Sequence, residues 1–119
     1  MNTTKEQFDL FQSEFLKWQD KFDMKHIKVR FYHYNIAKYR YAEINLNDFA
    51  DCVAGVTFNK ENDSDSMLTD NEIQCIAKHE AIHLFMNQLT YLARQRFASC
   101  DEITRTDEAM TVLLTQLLK

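Results

Sequence analysis

The sequence predicts a mixed α+β fold, and three observations carry that prediction. Aromatic residues recur at steps of three and four near the N-terminus. The chain then alternates apolar and polar residues with a period of two. Two capping-box patterns later open long stretches of helical periodicity. A length of 119 residues suits one domain with one core, and no linker or internal repeat divides it.

The first helix is expected over about residues 4–22. Thr3 and Glu6 form a capping-box pattern, and Phe8, Phe11, Phe15, Trp18 and Phe22 follow on one face, which reads as core. From His26 the period becomes two. Ile27, Val29, Phe31 and His33 alternate with Lys28, Arg30, Tyr32 and Tyr34, the pattern of a half-buried strand. A second run, Tyr39 to Leu46, sets Ala42, Ile44 and Leu46 on one side. Asn47-Asp48 supplies a turn, and a third run, Asp51 to Asn59, aligns Cys52, Ala54, Val56 and Phe58. Short connections between the three runs make a mainly antiparallel meander the economical arrangement. Residues 59–68 are polar, acidic and aperiodic, as expected of a mobile surface loop. Thr69 and Glu72 then cap a long helix reaching about Phe97. Ser99 and Glu102 cap a final one reaching about Leu118, with Ile103, Met110, Leu113, Leu114, Leu117 and Leu118 on its apolar face.

Composition narrows the function classes. With 45% hydrophobic and 13% aromatic residues the chain can fold, and its one glycine and lack of proline exclude collagen-like and proline-rich scaffolds. No apolar run is long enough for a membrane span, and the opening MNTTKEQFDLFQ lacks the apolar stretch of a secretion signal, so a cytoplasmic protein with no membrane partner is expected. Cys52, Cys75 and Cys100 are odd in number and far apart, which fits packing residues rather than a disulfide framework or a thiolate zinc site. The net charge of −4 argues against a general nucleic-acid binder, yet charge is segregated. Residues 24–41 hold five cations and no acid, whereas residues 42–72 hold eight acids and Lys60 alone.

The chemistry-bearing pattern is His79-Glu80-Ala81-Ile82-His83, in the middle of the long helix. Two histidines four apart share a helix face and can share one metal ion, for which neutral imidazole is a good ligand. Glu80 lies one position round, beside such an ion, where a carboxylate can act as general base toward a water the metal activates. A catalytic zinc site generally takes three protein ligands. His26 and His33 lie upstream in the strand region, and Asp101 and Glu102 have capping roles. Asp107 and Glu108 therefore remain as candidates for the third ligand, brought back by antiparallel packing of the last two helices.

The segments HEAIHLFMNQLTYLARQRF and TDEAMTVLLTQLL, an HExxH helix followed by a short final helix carrying a glutamate, resemble zincin-like metallopeptidase domains. The likeness is greatest to minimal glutamate-ligand gluzincins, a type found among small phage and prophage proteins and sharing its plan with the SprT-like fold. That resemblance implies zinc held by His79, His83 and Glu108, with Glu80 as general base. It also implies a sheet edge, from the 51–59 or the 39–46 run, against which a peptide substrate lies extended. Position 86 is Met, and the third histidine of metzincins is missing, as are a zinc ribbon and a basic DNA-binding tail. Tyr91, His33, Tyr39 and Tyr41 could in principle stabilise an oxyanion, but each reads first as a packing residue.

Three functions therefore stand as expectations. The first is a zinc metallopeptidase hydrolysing peptide bonds. The second is a catalytically silent zinc-binding interaction module, such as a phage accessory protein that binds a host protein. The third is weak nucleic-acid contact through the cations and tyrosines of residues 27–34, against which stands the reading of a solvated sheet face.

Overall fold

A computed structural model describes residues 1–45, 53–94 and 99–117, with side chains omitted for 88–94, 113 and 115–117. The described residues form three helices and a three-stranded mixed sheet, in the order α1 (Lys5–Lys21), β1 (Lys28–Tyr34), β2 (Ala42–Asn45), β3 (Val53–Asn59), α2 (Asp70–Arg94) and α3 (Cys100–Leu117). They divide into two compact units, residues 1–84 and 85–119. No described helix is long and apolar enough to cross a membrane.

Helix α1 starts one residue later than its capping pattern suggests. Thr4, not Thr3, is the N-cap, and its hydroxyl and backbone exchange hydrogen bonds with the backbone and side chain of Gln7. Thr3 is turned inward, where its hydroxyl lies 2.8 Å from the Asn59 carbonyl and 2.7 Å from His33 Nε2. Thr4→Ala is accordingly expected to cost about 1 kcal/mol in urea unfolding. At the other end Asp23 adopts φ 55°, and the amides of Asp23 and Met24 donate to the carbonyls of Asp20 and Gln19. This is the paired closure that glycine often makes, achieved here by an aspartate that tolerates the left-handed region.

The aromatic face of α1 supplies the core of the first unit. Phe11 and Phe15 are fully buried, Phe11 stacking on Phe58 of β3 and Phe15 meeting Phe31 of β1 edge-on. Trp18, also buried, lies beneath the Lys78 ammonium of α2 at 4.7 Å. Along α2, Ile73, Ala77, Ala81 and Leu84 form the buried stripe.

The sheet is not the expected meander. Its order is β1-β3-β2, with β1 parallel to β3 and β2 antiparallel to it. The reason is visible in the strands themselves. In β3, Ala54, Val56 and Phe58 are all buried, whereas β1 and β2 keep exposed or half-buried residues along their length. The most apolar strand therefore takes the centre, and residues 35–52 are long enough for the crossover that a parallel pair requires. Strand β2 is also shorter than the 39–46 run. Leu46 and Cys52 lie outside the described residues.

What shortens β2 is Asn59. Its side chain is fully buried and makes four hydrogen bonds: Oδ1 accepts from the amides of Ile36 and Glu61, and Nδ2 donates to the carbonyls of Ala37 and Arg40. These contacts hold residues 36–40 as a turn instead of a strand. The following segment is likewise tied. Thr3 pairs with Lys60, Met1 with Asn62, and the Asp63 amide donates to the Lys38 carbonyl. The first half of the expected loop is thus stitched to the N-terminus and to the 35–41 turn.

In the second unit, residues Phe85 and Asn87 of α2 and Met110 of α3 are buried. The acids of α3, Asp101, Glu102, Asp107 and Glu108, are exposed.

Candidate metal centre

Thr69 caps α2 as expected, its hydroxyl accepting from the Glu72 amide while Glu72 reaches back to the Thr69 amide. The helix then runs without interruption through the HExxH segment. Its burial pattern sorts the motif into two faces. Glu80 falls on the buried stripe with Ala77, Ala81 and Leu84 and is only 6% exposed, while His79 and His83 stand on the adjoining exposed side.

The two imidazoles converge. Their Nε2 atoms are 3.1 Å apart, and the rings meet edge to face at 84° with centroids 4.6 Å apart. Two nitrogens each about 2.05 Å from one tetrahedral zinc ion stand about 3.3 Å apart, so the spacing of the pair matches that of two ligands to one ion. The donors also suit the metal chemically. Burial, and then the neighbouring His79, push the His83 imidazole below its ordinary pKa, toward the neutral form that coordinates.

Glu80 is pushed up to about 7 from an ordinary 4.5. Burial is the main cause, repulsion from the Glu43 carboxylate adds to it, and the Arg40 guanidinium works in the opposite direction. A carboxyl poised near neutrality can both accept and return a proton at physiological pH. Arg40 and Glu43 themselves form an ion pair at 3.6 Å at the start of β2, and Arg40 lies over the Tyr39 ring. Sequence reading missed both residues as influences on the site. Arg40 was visible only as one member of a basic run, and nothing in spacing links it to a helix some forty positions on.

Other candidates fall elsewhere. His33 is sandwiched between Phe8 and Phe58 and its Nε2 is engaged by Thr3, so it is a packing residue. Its pKa is lowered, first by burial and then by Lys60. Tyr39 and Tyr41 are exposed on the turn before β2, and the Tyr91 side chain lies outside those described. Glu108 and Asp107 are on α3, in the second unit, whereas His79, Glu80 and His83 are in the first. Among the described residues, no group of three or more His, Cys, Asp or Glu gathers where it could hold one metal ion. The 51–59 run is excluded as a sheet edge, because β3 is paired on both sides. Among the described residues β2 and β1 are the two edge strands.

No protein-family model matches the chain, and no curated protein or solved structure is significantly similar to it.

Proposed function

We propose that the protein is a zinc-dependent metallopeptidase of minimal zincin-like type, with His79 and His83 as metal ligands and Glu80 as general base. The observation that carries this reading is the convergence of the two Nε2 atoms to 3.1 Å, on a helix whose adjoining buried face holds the Glu80 carboxyl, raised to about 7. Bound zinc supplies Lewis acidity, polarising the scissile carbonyl and lowering the pKa of water to about 7. The chain's own part is proton handling and placement. Glu80 takes a proton from the attacking water and returns it to the leaving amine nitrogen as the C–N bond breaks. Its burial keeps bulk water away from that exchange, and the Arg40 guanidinium favours the ionised form that must accept the first proton. Strand β2, at one edge of the described sheet and next to the Arg40–Glu43 pair, is the natural rail for an extended peptide.

The test joins metal and chemistry. At pH 7.5, zinc at a hundredfold excess over its Kd is expected to stabilise the fold by about 2.7 kcal/mol. Chelator should reverse the gain, and the gain should fade as pH drops through about 6, because protonated imidazole cannot coordinate. The loaded protein should cleave members of a broad peptide library and the chelated protein none. A melting temperature indifferent to zinc would refute the metal reading. Zinc-loaded protein that cleaves no peptide would leave only the interaction module.

A further inference from the structure

We propose that the open face of the sheet, on the side away from Phe11 and Phe15, binds single-stranded nucleic acid, with one base held in the groove above Gly55. This inference is independent of the metal reading.

The chain has one glycine, and it sits in the middle of the central strand, where glycine weakens a sheet. Backbone conformation does not require it, since its φ lies outside the left-handed region. Packing does not require it either. A Cβ there would meet Tyr32 Cε2 at 3.5 Å and Asn45 Cβ at 3.9 Å, which are ordinary contacts. The glycine lies in the floor of a shallow, open groove of about 200 Å³, whose lining includes Arg30, Tyr32, Glu43, Asn45 and Thr57. Glycine in a strand interior with no internal cause marks close approach by something outside the fold.

The walls name the occupant. Tyr32 and Tyr34 stack on each other at 5.4 Å, and Tyr34, 62% exposed, offers its outer side to a further flat ring. Lys28 and Arg30 stand on the same face of β1 and are exposed, as is Asn45. Among the described residues the one acid lining the groove, Glu43, is matched by Arg40 at 3.6 Å, which leaves Lys28 and Arg30 as the unbalanced charges on this face. Cations for phosphates and aromatic rings for base stacking are the components of a single-strand platform. From Lys28 to Tyr34 the strip runs about 20 Å, more than a free nucleotide spans, which selects a strand of several nucleotides.

The experiment is fluorescence anisotropy of a labelled oligo-dT of about ten nucleotides at about 20 mM and about 200 mM salt. Wild-type protein is expected to bind, and to bind more weakly at the higher salt. Gly55→Val, which fills the groove with a side chain that strands favour, should weaken binding at least about tenfold without lowering the melting temperature. Arg30→Ala, a change at an exposed position, should shrink the salt dependence by about one phosphate contact. The proposal is overturned by absence of binding at the lower salt, or by unchanged affinity in both variants. Equal affinity for a duplex of the same length, or equally tight binding of a single nucleotide, would overturn it too.

Discussion

Glu80→Gln is expected to reduce peptide hydrolysis by the zinc-loaded protein by about 10²–10⁴-fold while leaving zinc uptake by His79 and His83 intact. Glutamine keeps the shape of the buried side chain and removes only its capacity to carry a proton. Steady-state cleavage measured alongside bound zinc separates the two effects, and an equal loss of zinc would assign Glu80 to metal binding instead of proton transfer. The same substitution has a signature in the metal-free protein. The folded pKa of Glu80, about 7, is above its ordinary 4.5. Between those values the folded state holds the proton more firmly than the unfolded state. This group's contribution to stability is therefore fully present below about 4.5 and is lost as pH rises through about 7. Above pH 7 a buried carboxylate persists at a cost on the order of 3 kcal/mol. Chelator-treated Glu80→Gln should consequently be more stable than wild type at pH 8, with the gain much reduced at pH 5 and gone below about pH 4.5. Urea midpoints at the two pH values check this, and a gain of equal size at both would mean that ionisation of Glu80 is not its source.

Asn59→Ala is expected to cost about 3 kcal/mol or more, the largest loss of stability from any single polar side chain in the described core. Asn59 is completely buried and all four of its bonding sites are used. Truncation leaves the Ile36 amide and the carbonyls of Ala37 and Arg40 without this partner, and each group so orphaned costs about 1 kcal/mol or more. The consequence reaches the proposed site, because the 36–40 turn carries Arg40 and delivers the chain into β2. Guanidinium unfolding should show the lower midpoint. Peptide hydrolysis by the fraction that remains folded should fall as well, since the edge strand loses its anchor. Asn59→Asp is a sharper probe. It retains the acceptor for Ile36 and Glu61 but sets an anion against two carbonyl oxygens, so it should be no better tolerated than alanine.

How far the sequence discloses this arrangement depends on the range over which each feature is determined. Helices were legible because their signals are local. The spacing of Phe11, Phe15 and Trp18 and the capping pairs at Thr69 and Ser99 lie within a few residues of what they control. The cap of α1 slipped by one position because Thr3 and Thr4 are both competent. Only the distant Asn59 carbonyl and His33 ring decide which of them turns inward. Strand faces were legible for the same local reason, whereas strand order was not. Alternation in β1 and β3 says which residues point inward, but only the comparison of their exposure after folding puts β3 at the centre and β1 parallel to it. Asn59 itself gives no warning in sequence. It ends a strand in a polar stretch that reads as surface, and its importance comes from partners around twenty positions upstream.

At the candidate site, the HExxH spacing disclosed the convergence of His79 and His83, since a helix fixes that geometry on its own. It did not disclose that Glu80 lies on the buried side of the helix, nor that Arg40 and Glu43 bias its charge in opposite directions. Those depend on the stripe formed with Ala77, Ala81 and Leu84 and on where β2 begins. Gly55 was legible as a residue and not as a feature. Its significance appears only when Tyr32 and Asn45 are found flanking an empty Cβ position.

The most direct measurement on the central claim is zinc titration of the chelator-stripped protein, read by X-ray absorption at the zinc edge, for wild type and His83→Ala. The account predicts one zinc per chain in the wild type, with two imidazole nitrogens at about 2.0–2.1 Å, and weak or absent uptake in the variant. No zinc bound by wild type, or the same first shell in His83→Ala, would contradict it.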